Sequence, residues 1–136
     1  MYLSVICNPD EKSKEKYEIA RTIYAETGAA SLRLVEAFAS MIQNAARACG
    51  VSEIEIVRDA KKFESRNAAS PRHAHWNVSA NSAAFQMCLR VTNQMIKGTL
   101  PDSCCGATRF HHEDELPDWA VALGYVADID GILFYT

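Results

Sequence analysis

Glu26 is the residue whose type and position most clearly favour chemistry. It lies in the sequence TIYAETG, two residues before Gly28, where a predicted helix ends. The C-terminus of a helix carries partial negative charge, and burial against a second helix disfavours a charged carboxyl further. Both effects favour the protonated carboxyl that a general acid needs near neutral pH. A solvated glutamate on a frayed helix end explains the same pattern, since most glutamates are exposed.

Two helices are predicted to position Glu26. The first spans EKYEIARTIYAE, because Ile19, Ala20, Ile23 and Tyr24 recur at helical spacing. Ser31 can then cap a second helix that ends at Gly50. The apolar stripe of this second helix comprises Leu34, Val35, Phe38, Met41, Ile42, Ala45 and Cys49.

A short helix and a long loop are predicted next. Ser52-Glu53-Ile54-Glu55 fits a capping box, and Lys61 and Lys62 would lie in the last turn of that helix. Glu64 to Asn81 is predicted to be a loop, because it is rich in Asn, Ser, Ala and Pro. Its arginines and aromatic side chains could line a sugar groove, or Trp76 could simply fold back as a plug. These side chains are Arg66, Arg72, His73, His75 and Trp76.

The last third of the chain is predicted to hold one more helix and some extended structure. Asn81 or Ser82 can cap the helix, and Gly98 ends it. Gly106 to His112 has extended character, with Arg109 and His111 on one side and Phe110 and His112 on the other. The terminal GILFYT suits a short closing strand or a packed C-terminus.

The composition predicts one domain over residues 1–136. Hydrophobic residues make up 49% of the chain, which favours a packed globule. The 14 basic and 17 acidic residues give a net charge of −3, which argues against a nucleic-acid binder. No apolar run approaches the length of a membrane span. Residues 1–14 are expected to form an N-terminal extension that could be flexible.

The five cysteines are expected to be reduced, because their number is odd and we expect no signal peptide. Cys49 and Cys88 fall on apolar helix faces, which predicts small core residues. Cys104-Cys105 and His111-His112 could form a metal site, but their spacing matches no standard zinc pattern. We therefore expect no metal and no cofactor.

Three stretches, in this order, resemble the cell-wall hydrolase family that includes spore-cortex-lytic enzymes. The first is IARTIYAETGAASLRLVEAFASMIQNAAR, similar to the family's opening helix, catalytic-glutamate segment and alanine-rich helix. The second is FQMCLRVTNQMIKGTLPDSCCGATRFHH, similar to its cysteine-containing helix and Gly-Ala-Thr run. The third is LPDWAVALGYVADIDGILFY, similar to its Pro-x-Trp-Ala and closing Phe-Tyr. Together they cover most of residues 17–135.

The resemblance implies a lysozyme-like fold, mainly α (α+β), with several helices and a short β-hairpin or extended segment near the C-terminus. It also implies cleavage of peptidoglycan glycan strands between N-acetylmuramic acid and N-acetylglucosamine. Glu26 matches the family's catalytic glutamate, which protonates the glycosidic oxygen. In a lytic transglycosylase the same carboxylate then deprotonates the muramoyl 6-hydroxyl, which closes a 1,6-anhydro ring. An ordinary glycosidase uses a second carboxylate, for which Glu36, Asp102, Glu113 and Asp114 are candidates.

The resemblance also implies a set of substrate-binding residues. They are Phe63, Thr108, Arg109, Phe110, His111, Trp119 and Tyr135. Their aromatic members would pack on sugar faces or support the floor of the cleft. The implied partner is the peptidoglycan glycan strand, bound by a monomer. The chain is expected to be made in the bacterial cytoplasm and to reach the cell wall (periplasm) by an export or lysis route.

The chain departs from the family's pattern at three places. Thr27-Gly28-Ala29 stands where many members carry Arg-Gly-Glu, Lys62-Phe63 stands for a Gln-Phe pair, and Ile132 stands for a histidine. These departures bear on substrate range. Three other functions stay open: a hydrolytic muramidase, a non-catalytic glycan-binding descendant of the fold, and a small zinc-binding regulatory protein.

Overall fold

Helices form most of residues 11–97, and a small sheet lies between residues 109 and 135. The computed structural model describes residues 11–136, and their side chains from Lys14 onward. The helices are α1 (Glu11–Thr27), α2 (Leu32–Cys49), α3 (Glu53–Val57) and α4 (Ala83–Lys97), and the strands are β1 (Arg109–His112), β2 (Tyr125–Ile129) and β3 (Ile132–Tyr135). The predicted N-terminal extension lies outside the described residues up to residue 10, while residues 11–14 belong to α1. The architecture is α+β; its likeness to lysozyme stays a prediction.

The junction between α1 and α2 sets the position of Glu26. α1 ends at Thr27, and Gly28 has φ of +64°, a left-handed conformation that glycine adopts at little cost. The Ser31 hydroxyl accepts a hydrogen bond from the Leu34 N–H and so caps the start of α2. The predicted break is confirmed, and Glu26 lies in the last turn of α1.

α2 is the central helix of the core. Its predicted stripe is buried from Leu34 to Ala45, but Cys49 is exposed, because α2 ends there and residues 47–52 are all exposed. The Phe38 ring lies 6.0 Å from Phe63, 4.8 Å from Phe110 and 6.4 Å from Phe134, measured between ring centroids. Phe38 therefore ties α2 to the segment after α3 and to two strands of the sheet.

The sheet is antiparallel, with strand order β1-β3-β2. Phe110 pairs with Phe134, and His112 pairs with Ile132. Asp130 and Gly131 connect β2 to β3 with φ of +51° and +87°, the combination that an Asp-Gly hairpin turn provides. The predicted closing strand is confirmed as β3. The extended segment is shorter than predicted, because Gly106 has φ of +80° and belongs to a turn.

Two local predictions between residues 52 and 81 are wrong. α3 ends at Val57, so Lys61 and Lys62 lie beyond it, and the Ser52 side chain forms no capping hydrogen bond. The predicted loop contains 3₁₀ helices at Glu64–Arg66 and Pro71–Asn77. The second forms because Pro71 presets a helical φ and the Ser70 hydroxyl accepts from the Arg72 N–H.

None of the helices found within residues 11–136 has the length and apolar character that a membrane crossing needs.

Candidate active site

The Glu26 carboxyl is buried, and each of its oxygens has a protein partner. Oε1 lies 2.8 Å from Nε2 of His112, at the end of β1. Oε2 accepts a 3.0 Å hydrogen bond from the backbone N–H of Ser65, in the first 3₁₀ helix. A carboxyl removed from water needs such partners. The site is therefore built where a helix end, a strand end and a 3₁₀ turn meet.

A polar stripe on α1 carries Glu26. Glu18, Thr22 and Glu26 are four residues apart, so they lie on one face of the helix. Arg66 donates to the Glu18 carboxylate at 2.5 Å and to the Thr22 hydroxyl at 3.1 Å. The hydrogen bond from Arg58 is the largest effect on the Glu18 carboxyl, and together with Arg66 it outweighs partial burial and holds the pKa of Glu18 below its usual range. The stripe thus fixes residues 58–66 against α1.

Two cavities meet at Glu26 and His112. The first, of about 450 Å³, is also bordered by Met41, Ala45, Lys61, Lys62, Glu64, Glu115, Leu116, Pro117 and Trp119. The second, of about 320 Å³, also borders Arg72, Glu113, Asp114 and Asp130. The Glu26 side chain is 0% exposed and the His112 side chain is 10% exposed. The carboxyl therefore lies just beneath the surface that both cavities share, with the more exposed imidazole beside it.

Most of the predicted substrate-binding residues surround the first cavity. The ones that border it are Phe63, Thr108, Arg109, Phe110, His111 and Trp119. Phe63 and Phe110 are also core residues, at 1% and 9% exposure, so only a small part of each side chain is exposed at the cavity wall. Tyr135 does not border the cavity and is only 6% exposed.

Tyr135 supports one wall of the first cavity from behind. Its hydroxyl lies 3.1 Å from Nε2 of His111, and the two rings stack at 5.3 Å. Nδ1 of His111 lies 2.8 Å from the His112 carbonyl oxygen, so Nδ1 carries the proton and Nε2 accepts from Tyr135. Trp119 packs edge-on to Tyr135, and the Arg109 guanidinium lies 4.9 Å from the Trp119 ring. This set presents an aromatic and cationic wall that suits a sugar.

The arginines and aromatics of the predicted loop brace the site rather than line the first cavity. Arg66 lies over the Trp76 ring at 5.0 Å, and Arg21 donates to the Trp76 carbonyl at 2.8 Å. His75 contacts Tyr24 edge-on. Of the two cavities described, the second is bordered by Arg72, which pairs with Glu64 and lies 3.7 Å from Asp114. The structure thus matches the alternative in which Trp76 folds back onto the protein.

The candidates for a second carboxylate fall in different places. Asp102 accepts hydrogen bonds from the Cys104 and Gly106 N–H groups and holds a turn. Glu113 and Asp114 border only the second cavity, and Glu36 borders neither. The structure adds Glu115, which borders the first cavity and whose Oε1 accepts from the His112 backbone N–H at 3.1 Å.

Sequence reasoning missed Ser65, Glu115 and the pairing of His112 with Glu26. The spacing of Glu18, Thr22 and Glu26 was a usable signal, because a polar stripe on a buried helix requires partners. The metal hypothesis named His112 together with Cys104, Cys105 and His111. Within residues 11–136, no three His, Cys, Asp or Glu side chains are grouped so that they could hold a metal ion.

A buried carboxyl beside an imidazole, at the junction of two cavities with one aromatic wall, is a candidate for proton exchange with a ligand once the imidazole moves aside. Comparison of the chain with protein-family models, with curated proteins and with solved structures finds no match.

Proposed function

We propose that this protein cleaves peptidoglycan glycan strands between N-acetylmuramic acid and N-acetylglucosamine, as a lytic transglycosylase with Glu26 as its acid and base. The observation that carries the proposal is the buried Glu26 carboxyl, paired with His112 where the two cavities meet. The resemblance of residues 17–135 to cell-wall hydrolases supports the same residue and the same substrate.

The proposed reaction uses one carboxyl twice. Protonated Glu26 gives its proton to the glycosidic oxygen, and the bond from that oxygen to the muramoyl anomeric carbon breaks. The Glu26 carboxylate then takes the proton of the muramoyl 6-hydroxyl, whose oxygen bonds to the anomeric carbon. No water is consumed, and Glu26 ends protonated. The Ser65 N–H stabilises the intervening carboxylate, because it donates to Oε2.

Access to Glu26 requires a movement of His112. The Glu26 side chain is closed to solvent in this structure, and the imidazole of His112 lies at the shared surface. An entering glycan must turn this imidazole aside before Glu26 reaches a glycosidic oxygen. In the proposed cycle His112 therefore stabilises the carboxyl in the free protein and yields its place to the substrate.

The test is digestion of purified peptidoglycan by the wild type and by Glu26→Gln, with the products read by mass spectrometry. Glutamine keeps an oxygen for Ser65 but cannot donate an acidic proton, so it is a matched variant. We expect anhydromuropeptides from the wild type alone. Products with free reducing ends would indicate a hydrolytic muramidase, and Glu115→Gln would then test Glu115 as the carboxylate that activates water.

The full burial of Glu26 also favours a second candidate, glycan binding without turnover. Both carboxyl oxygens already have protein partners, as in a structural hydrogen-bonded pair. This candidate predicts co-sedimentation of the folded protein with peptidoglycan and no soluble products, for both the wild type and Glu26→Gln. Absence of both binding and cleavage would contradict both candidates.

A further inference from the structure

His73 and Glu26 are linked through a single residue, Ser65. Nδ1 of His73 lies 2.8 Å from the Ser65 carbonyl oxygen. A carbonyl oxygen only accepts, so Nδ1 carries the proton and donates. The N–H of Ser65 donates at 3.0 Å to Oε2 of Glu26. Ser65 is 0% exposed, so water does not compete for either bond.

The His73 ring is itself held in place. It belongs to the 3₁₀ helix Pro71–Asn77 and stacks on Trp76 with 6.4 Å between ring centroids. The guanidinium of Arg66 covers the Trp76 ring at 5.0 Å, and Arg66 also binds the α1 stripe through Glu18. His73 is therefore a fixed donor rather than a mobile surface side chain.

We infer that His73 is a positioning residue for Glu26, acting through Ser65 on the acid proposed above. Its hydrogen bond fixes the Ser65 backbone, and the Ser65 N–H fixes the Glu26 carboxyl relative to the cavities. His73 borders neither cavity, so it is not placed to contact a ligand bound in them. Its loss should lower turnover and leave substrate affinity nearly unchanged, because a small displacement of a catalytic group affects the chemical step most.

Two substitutions separate the hydrogen bond from ring packing. His73→Asn keeps a donor near the position of Nδ1 but loses the ring, whereas His73→Phe keeps a ring against Trp76 but has no donor. His75→Phe is the matched control, because His75 lies in the same 3₁₀ helix and contacts Tyr24 instead. We expect His73→Phe to lower kcat by about 10- to 100-fold with KM within about twofold, and His73→Asn to recover most of kcat. The control should stay near wild type.

A second readout does not depend on turnover. Carbon-13 NMR of glutamate carboxyl groups identifies the Glu26 signal by its loss in Glu26→Gln. We expect this signal to shift in His73→Phe and to stay in place in His75→Phe. Wild-type kcat together with an unshifted Glu26 signal in His73→Phe would overturn the inference, and so would low kcat in His73→Asn with full activity in His73→Phe. A wild type without turnover would contradict the proposed function alone, and the NMR measurement would still decide the role of His73.

Discussion

Oε1 of Glu26 lies 2.8 Å from Nε2 of His112, although 86 positions separate the two residues in the chain. Glu26 occupies the last turn of α1, and His112 is the last residue of β1. The contact therefore joins the helical part of the molecule to its sheet. It also places an imidazole beside the one carboxyl that borders both cavities.

Substitution of His112 should show how much this residue contributes to the free energy of unfolding and how much to the rate of glycan cleavage. His112→Ala leaves the buried Oε1 of Glu26 without its partner, which should cost about 1–3 kcal/mol of unfolding free energy. His112→Gln places an amide near the position of Nε2 and should cost less. Both variants should release muropeptides more slowly than the wild type, the alanine variant most. Urea unfolding and product release measure the two effects, and an alanine variant as stable as the wild type would contradict the role of this pair.

Ser65→Ala should be tolerated. The Ser65 hydroxyl is buried and has no hydrogen-bond partner, whereas the contact with Glu26 uses the backbone N–H, which alanine retains. Removing an unsatisfied buried hydroxyl is neutral or stabilising, by at most about 1–3 kcal/mol. Thermal unfolding should give an equal or higher Tm, with wild-type release of muropeptides. A clear fall in Tm would show that the hydroxyl binds a group inside the protein.

Glu18→Gln should lower stability at neutral pH and have no effect in acid. Because Arg58 and Arg66 hold the pKa of Glu18 below its usual value, its stabilisation is complete above pH 4.5 and is lost as pH falls through the depressed pKa. We expect about 1 kcal/mol or less at pH 7, since the pairs are partly exposed. The Tm of Glu18→Gln, measured from pH 7 to pH 3, should converge on that of the wild type. A constant difference across this range would contradict the ion pairs.

The four cysteines that the structure describes should divide into two classes by reactivity, while Cys7 lies outside the described residues. Burial raises the pKa of Cys88 to about 12, and burial followed by the charge of Asp102 raises the pKa of Cys104 to about 12. The thiolate is the reactive form, so both should resist N-ethylmaleimide in the folded protein. Cys49 and Cys105 are exposed and should react readily. Peptide mapping before and after unfolding distinguishes the classes, and fast labelling of Cys88 would argue against this packing.

Local signals predicted the position of Glu26 and most of the helices. Gly28 and Ser31 act within a few residues of the break, where a left-handed turn and a side-chain cap leave little freedom. The stripe of α2 was readable for the same reason, because burial repeats at helical spacing. The prediction of burial was wrong only at Cys49. The helix extends beyond the core there, so a residue at the helical spacing is no longer buried.

The partners of Glu26 were not predictable in the same way. Ser65 contributes its backbone N–H, which every residue except proline carries, so its side chain gives no signal. The sequence shows two adjacent histidines, His111 and His112. Only the register of β1 with β3 decides that His112 is the one that faces Glu26. The 3₁₀ helix Pro71–Asn77 could not be distinguished from a loop in the sequence, because residues that favour loops also start short helical turns.

The distances along the chain between Glu26 and its partners set the order in which the site can form. Ser65 is 39 positions away and His112 is 86 positions away, so each contact closes a long loop at a cost in chain entropy. During synthesis α1 leaves the ribosome well before β1. A nascent chain, or a truncated one that stops before residue 112, carries Glu26 on a bare helix end with neither cavity complete. Whatever Glu26 does, the chain acquires it only after His112 has been made.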